Sequence, residues 1–189
     1  MKSCILALIL ALVCNGVLAG GAVGLESRED SEGRDIVDFP DCVYCGMHRQ
    51  TYAHSRMLVV YADGAVFGVC SLYCAALNLV IQIDRPLKAV WVADYRSKKL
   101  IRAEDAWWVI GGAKPGVMTS RAKWAFKDKA DAYTFISENG GVIGSFDEAM
   151  RATFEDMYRD TRMIRTKKQI GKMADRKSTR LNSSHTDIS

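Results

Sequence analysis

From residue 57 onward the chain alternates short apolar runs with polar turns, and the succession occurs twice. Met57-Leu58-Val59-Val60-Tyr61 is rich in β-branched and aromatic residues, which predicts a strand. Ala62-Asp63-Gly64 carries a hairpin signature, and Ala65-Val66-Phe67-Gly68-Val69 reads as the return strand. Ser71 stands where a cap would, and a helix over 72–82 sets Ala75, Ala76, Leu79 and Ile83 on one apolar side. In the second copy, Ala106-Trp107-Trp108-Val109-Ile110 predicts a strand, followed by Gly111-Gly112 and a Pro115-Gly116 turn. Lys123-Trp124-Ala125-Phe126 returns, and Asp128 is placed to cap a helix over 129–138, stopped by Asn139-Gly140-Gly141.

Between the copies, Ala89-Val90-Trp91-Val92 and the stretch around Leu100-Ile101 read as a further strand and its partner. Ser145 starts one more helical pattern, from Phe146 to about Lys172, with Met150, Phe154, Met157 and Tyr158 on one side. Its basic end, 162–168, reads as a solvated face rather than a membrane-binding one. The pattern predicts an α+β domain of two strand–strand–helix repeats with a C-terminal helix. The domain spans 39–144 and the helical extension 145–174. Residues 20–38 are Gly-rich, then acidic and polar, and read as a flexible leader.

Both ends read as something other than folded protein. Met1-Lys2-Ser3 and the apolar run 4–13, closed by Val17-Leu18-Ala19 before Gly20, have the layout of a secretory signal peptide over 1–19. The run is too short for a confident membrane span, and Val13 before Cys14 is a poor lipobox. The expected location is therefore the periplasm or another exported compartment. Residues 175–185 resemble one reading frame of a common short-read sequencing adapter, and 186–189 fit the index and constant bases that follow it. We read 175–189 as an artefact and draw no ligand from His185.

Composition alters this picture at one point. The chain has 189 residues, six Cys, eight Met and three His, with a formal charge of +4. No basic stripe with interleaved aromatics is present, so nucleic acid is not an indicated partner. Sulfur outnumbers imidazole, which favours soft ions, Cu(I) or zinc, over calcium or magnesium. If the signal peptide is cleaved, Cys4 and Cys14 leave with it. Cys42, Cys45, Cys70 and Cys74 remain.

Cys42-x-x-Cys45 alone fits a zinc knuckle, a redox pair or a structural disulfide. Cys70-x-x-x-Cys74 places a second pair on one face at a helix start, where thiolate is favoured. Two close pairs flanking a hairpin are a stronger metal signal than either alone, although two disulfides remain an alternative. Cu(I) accepts low coordination by thiolate and thioether sulfur, and uncharged Met eases release by ligand exchange. His48 and His54 follow the first pair and read as exposed loop histidines. The methionines of the C-terminal helix read as packing.

Cys45-Gly46-Met47, a strand pair and Cys70-Ser71-Leu72-Tyr73-Cys74 resemble the YHS and TRASH metal-binding modules over 42–78. That resemblance implies a treble-clef-like knuckle, hairpin and helix around a metal. Over about 40–140 the chain resembles the NosL family. The resemblance rests on Cys-x-x-Cys-Gly-Met, Tyr61-x-Asp63-Gly64, Asp94-Tyr95, the strand Trp107-Trp108-Val109-Ile110-Gly111 and the Gly116-Val117-Met118 turn. It implies a fold related to the organomercurial lyases and an exported copper(I) chaperone that supplies nitrous oxide reductase. The implied partners are a client metalloenzyme, a copper transporter or another membrane-associated protein. Cys45 and Met47 are then the leading copper ligands, Met118 is a third, and Cys42, Cys70 and Cys74 complete the candidate set. The family's type members are lipoproteins, and the Cys70/Cys74 pair is closer to the YHS pattern. Both departures bear on the client more than on the metal.

Enzymatic readings fit less well. A thioredoxin-like pair opens a helix, whereas Gly46 follows this one with no helical pattern. A lyase-like reaction needs a carboxylate proton donor beside the thiols. Asp63 and Asp94 read more simply as turn residues, so no catalytic residue is assigned.

Overall fold

The computed structural model describes residues 33–183, with side chains through 172; the expected signal peptide lies outside the described residues. It contains α1 (Arg34–Asp38), β1 (Met57–Tyr61), β2 (Val66–Val69), α2 (Leu72–Ile81), β3 (Leu87–Ala93), β4 (Leu100–Arg102), β5 (Trp107–Ile110), β6 (Lys123–Phe126), α3 (Lys129–Asn139), β7 (Val142–Gly144) and α4 (Phe146–Ser183). Among these residues no helix is long and apolar enough to cross a membrane.

Two antiparallel sheets form, ordered β2-β1-β3-β4 and β6-β5-β7. Each repeat centres on its first strand, which pairs with the hairpin partner on one side and with the strand after the helix on the other. The repeating unit is therefore strand–strand–helix–strand, one strand more than the sequence reading gave. The addition is β7, the counterpart of β3. It has three residues, Val142, Ile143 and Gly144, and between flanking glycines the run is too short for an alternating pattern to announce it.

Strand alternation divides the core. Met57, Val59 and Tyr61 face one cluster with Val90, Val92, Trp108, Ala125 and the buried cysteines. Leu58 and Val60 face the other side with Ala89, Trp91 and Leu100, as the two-residue period of a strand requires. Every residue of β1 is buried. The opposite face of the second sheet packs Val109, Trp124 and Phe126 against Ala132 and Phe135 of α3.

Three local expectations are revised. The segment 34–38, assigned to a flexible leader, is helical, with Asp35 buried. The Asp35 carboxylate accepts hydrogen bonds from Arg49 Nη2 at 2.7 Å and from Arg56 Nε and Nη2, both at 2.9 Å. Ile83 lies beyond the end of α2 and is exposed, because the helix ends at Ile81, two residues short of it. On α4, Phe154 and Tyr158 are also exposed. The buried stripe is Ala149, Ala152, Thr153 and Asp156, whose spacing is that of one helical face. Small residues allow α4 to approach the sheet. Asp156 is neutralised by ion pairs from Lys123, Arg121 and Arg159, an arrangement with no local sequence signature.

The caps also divide. Ser71 and Asp128 occupy the N-cap positions of α2 and α3 without a side-chain capping hydrogen bond. Ser145 makes the full reciprocal box: Glu148 Oε2 accepts from Ser145 N at 2.7 Å, and Ser145 Oγ accepts from Glu148 N at 3.2 Å.

Candidate metal centre

The first two sulfurs come from a tight turn ahead of β1. Gly46 N donates to Cys42 O and Cys42 N donates to Met47 O, both at 2.9 Å. Gly46 has φ 71°, a left-handed conformation that glycine adopts without a steric cost. The other two sulfurs come from the end of the hairpin and the helix after it. Cys70 directly follows β2, and Cys74 lies in the first turn of α2.

The hairpin turns the chain back so that both pairs meet. Cys45 Sγ lies 3.5 Å from Cys70 Sγ, and Cys70 Sγ lies 3.8 Å from Cys74 Sγ. All four sulfurs fall within 4.8 Å of one another, and none is in a disulfide. Tetrahedral zinc with bonds of about 2.3 Å to sulfur sets its ligands about 3.8 Å apart, and Cu(I)–thiolate sites have similar reach. The arrangement is already close to what either ion needs. Cys42, Cys70 and Cys74 are buried in the main core, whereas Cys45 is only partly buried.

Electrostatics within the cluster are uneven. Hydrogen bonds from the Cys70 and Cys74 thiols pull the Cys42 thiol well below its ordinary range. Donating to Cys42 pushes Cys70 up to about 12 and raises Cys74 as well, and burial adds to both shifts. Within the cluster, then, the ionised form is favoured at Cys42 and disfavoured at Cys70 and Cys74. A soft cation would take the place of the thiol protons.

A polar framework fixes the turn and the strands around it. Arg49 uses all five of its N–H groups: Nε donates to Val69 O, Nη1 to Asp35 O and Phe39 O, and Nη2 to an Asp35 carboxylate oxygen and Met57 O. It therefore ties α1 and the turn to the residue immediately before Cys70. Gly68 keeps this region open, because a Cβ there would meet Phe39 Cβ at 2.4 Å. On the far side Tyr61 Oη donates to Asn78 Oδ1, and Asn78 Nδ2 donates to Tyr44 Oη, each at 2.7 Å. This chain links β1 and α2 to the middle of the Cys42–Cys45 turn. The sequence reading missed the roles of Asp35, Arg49 and Asn78. A contact spanning 14 to 34 residues leaves no periodic trace.

The remaining expected ligands are placed differently. Met47 is half-buried against the same core as the cysteines. Met118 lies in the loop between β5 and β6, 38 % exposed and with φ 66°, so it is not one of the buried sulfurs. His48 is exposed. His54, expected to be an exposed loop residue, is half-buried against the Tyr95 and Trp124 rings at 5.9 and 5.3 Å. Burial, then Lys98 and Lys114, holds its imidazole below the ordinary pKa. Asp94 is buried and occupied, accepting from Ser97 N, Ser97 Oγ and Lys127 N. It serves as a turn acid, and Asp63 likewise accepts from Ala65 N in the hairpin turn.

A crystal structure of the copper chaperone NosL from Shewanella denitrificans matches with 24 % identity and a TM-score of 0.47, covering 57 % of this chain and 87 % of that one. A search of curated proteins gave no match. The family model for NosL matches residues 35–154, a span that starts at the buried Asp35 and takes in both repeats and the base of α4. The chain belongs to the NosL family.

Proposed function

We propose that this protein is an exported copper(I) metallochaperone with no catalytic step of its own. It binds the ion as cargo at Cys42, Cys45, Cys70 and Cys74 and delivers it to a client metalloenzyme such as nitrous oxide reductase. The observation that carries the proposal is the convergence of four free thiols within 4.8 Å, supported by membership of the NosL family. Thiolate donors suit a soft monovalent ion, and a partly exposed member leaves a path for exchange. Met47 and Met118 are assigned as accessory thioethers.

The test is titration of the reduced protein with Cu(I) against a chromogenic chelator, together with Cys45→Ala and Cys70→Ala variants. We expect one tight equivalent, weakened at least 100-fold in each variant. Unchanged affinity in both would sink the proposal.

A second reading has an observation of its own. Four thiols at these separations also suit a structural zinc site. A permanent zinc knuckle would bind Zn(II) in preference to Cu(I) and lose its fold on chelation. A chaperone should stay folded without metal, because the core around the cluster is continuous with both sheets.

A further inference from the structure

The four sulfurs of the cluster differ in what their release would disturb. Cys42, Cys70 and Cys74 are 2, 0 and 1 % exposed. Cys70 is tied to the end of β2, since the neighbouring Val69 pairs with Met57 and Ser55 Oγ donates to Cys70 O at 2.8 Å. Cys74 is part of the first turn of α2. Cys42 anchors its own turn through two backbone hydrogen bonds. Cys45 alone stands at the tip of that turn, partly exposed, yet its sulfur is 3.5 Å from Cys70 Sγ. It can swing away by rotation of its side chain, while withdrawal of the others would disturb strand, helix or turn. The surface beside it is small and apolar: Val43 is 59 % exposed, Gly46 is exposed and Met47 half-buried.

We propose that Cys45 is the exit ligand and that the face around 43–47 is where copper is handed to a partner presenting a thiol. This rests on the reading of the cluster as the copper site. In the exchange the incoming thiol gives up its proton and forms a sulfur–copper bond, while the Cys45 sulfur–copper bond breaks and Cys45 takes up a proton. Copper remains Cu(I) and no electron is transferred. Cys42, Cys70 and Cys74 hold the ion until the partner's sulfur is in place, so it is never released free.

Pulse alkylation of the copper-loaded protein tests the order. Protein carrying one equivalent of Cu(I) is treated anaerobically with iodoacetamide, first alone and then with excess glutathione as the probe thiol, and the labelled cysteines are mapped by peptide mass. The expected result is protection of all four thiols without glutathione. With it, Cys45 is labelled at least tenfold ahead of the other three. Labelling of Cys45 in the loaded protein without glutathione would show that it is not a ligand and overturn the proposal. Simultaneous labelling of all four, or Cys42, Cys70 or Cys74 first, would overturn it as well. Copper that protects no thiol relative to the metal-free protein would refute the copper site itself, a separate failure. A Cys45→Ser variant supplies an independent measurement: it should bind copper more weakly, as Cys45→Ala does, and lose what it holds to glutathione at least tenfold faster. An unchanged rate counts against the proposal.

Discussion

The two repeats share one backbone plan but differ at corresponding positions. Cys70 follows β2 as Lys127 follows β6, and Cys74 is the third residue of α2 as Asp131 is of α3. In the first repeat both positions are buried and hold thiols. In the second, Lys127 is exposed and Asp131 pairs with Arg96 at 3.7 Å. The spaces beside them differ too. The first repeat has the Cys42–Met47 turn folded over its hairpin, whereas the second is filled by Tyr95, Trp124, Phe126 and Phe135 in contact. A hairpin followed by a helix offers two close positions in either copy. On the proposed reading they become a metal site only where a second turn delivers two more sulfurs.

The strongest test of that contrast transplants one repeat into the other. Cys70→Lys combined with Cys74→Asp should abolish metal binding, a loss of at least 1,000-fold read by Cu(I) and Zn(II) competition titration. The reverse change, Lys127→Cys with Asp131→Cys, should create no new tight site. Binding in the reverse variant would show that two sulfurs suffice.

Next in size is the frame that positions the cysteine turn. Arg49→Ala strips five hydrogen bonds and leaves the buried Asp35 paired with Arg56 alone. Breaking a buried pair of this kind costs about 3–5 kcal/mol, measurable by urea denaturation of the metal-free protein. The counterpart in the second half is Asp156. Burial opposes its ionisation, but Lys123 and Arg121 outweigh burial and hold the carboxyl below its usual value. A depressed carboxyl contributes stability that is complete above its unfolded pKa and is lost as pH falls below it. Asp156→Asn should destabilise by about 3 kcal/mol at neutral pH and flatten the acid limb below about pH 4.

Metal binding itself should depend on pH. Cys70 and Cys74 hold their protons above the ordinary thiol range, so an entering ion displaces both. Affinity should rise as pH is raised from 6 to 8, and calorimetry in buffers of different ionisation enthalpy should register the released protons. The smallest effect belongs to His54. Its imidazole is held below the ordinary value, so the fold favours the neutral form. Stability should be complete above about pH 6.5 and fall as pH drops below it. His54→Gln should remove that component, and a persisting slope would assign it elsewhere.

Much of this protein was legible from local pattern. β1 and β6 fall where the sequence reading put them, β1 on its β-branched and aromatic residues and β6 as the return strand after the Pro115-Gly116 turn, and α2 and α3 begin where Ser71 and Asp128 suggested. The cysteine spacings singled out Cys42, Cys45, Cys70 and Cys74 because short separations constrain geometry before any fold forms. β7 was not legible, because a run of only three residues becomes a strand when β5 offers its free edge. The helix at 34–38 was likewise hidden. Five residues, three of them charged, have no reason to order until Asp35 meets two arginines 14 and 21 residues away.

By itself, then, the sequence determined the repeat and singled out the four thiols of the candidate site. Only the tertiary structure decided that those thiols form one cluster, that three are sealed and one faces out, and that Met118 lies exposed on a separate loop. The reason is physical. Spacing along the chain limits how near two ligands can be, while burial and access depend on what the rest of the chain folds over them.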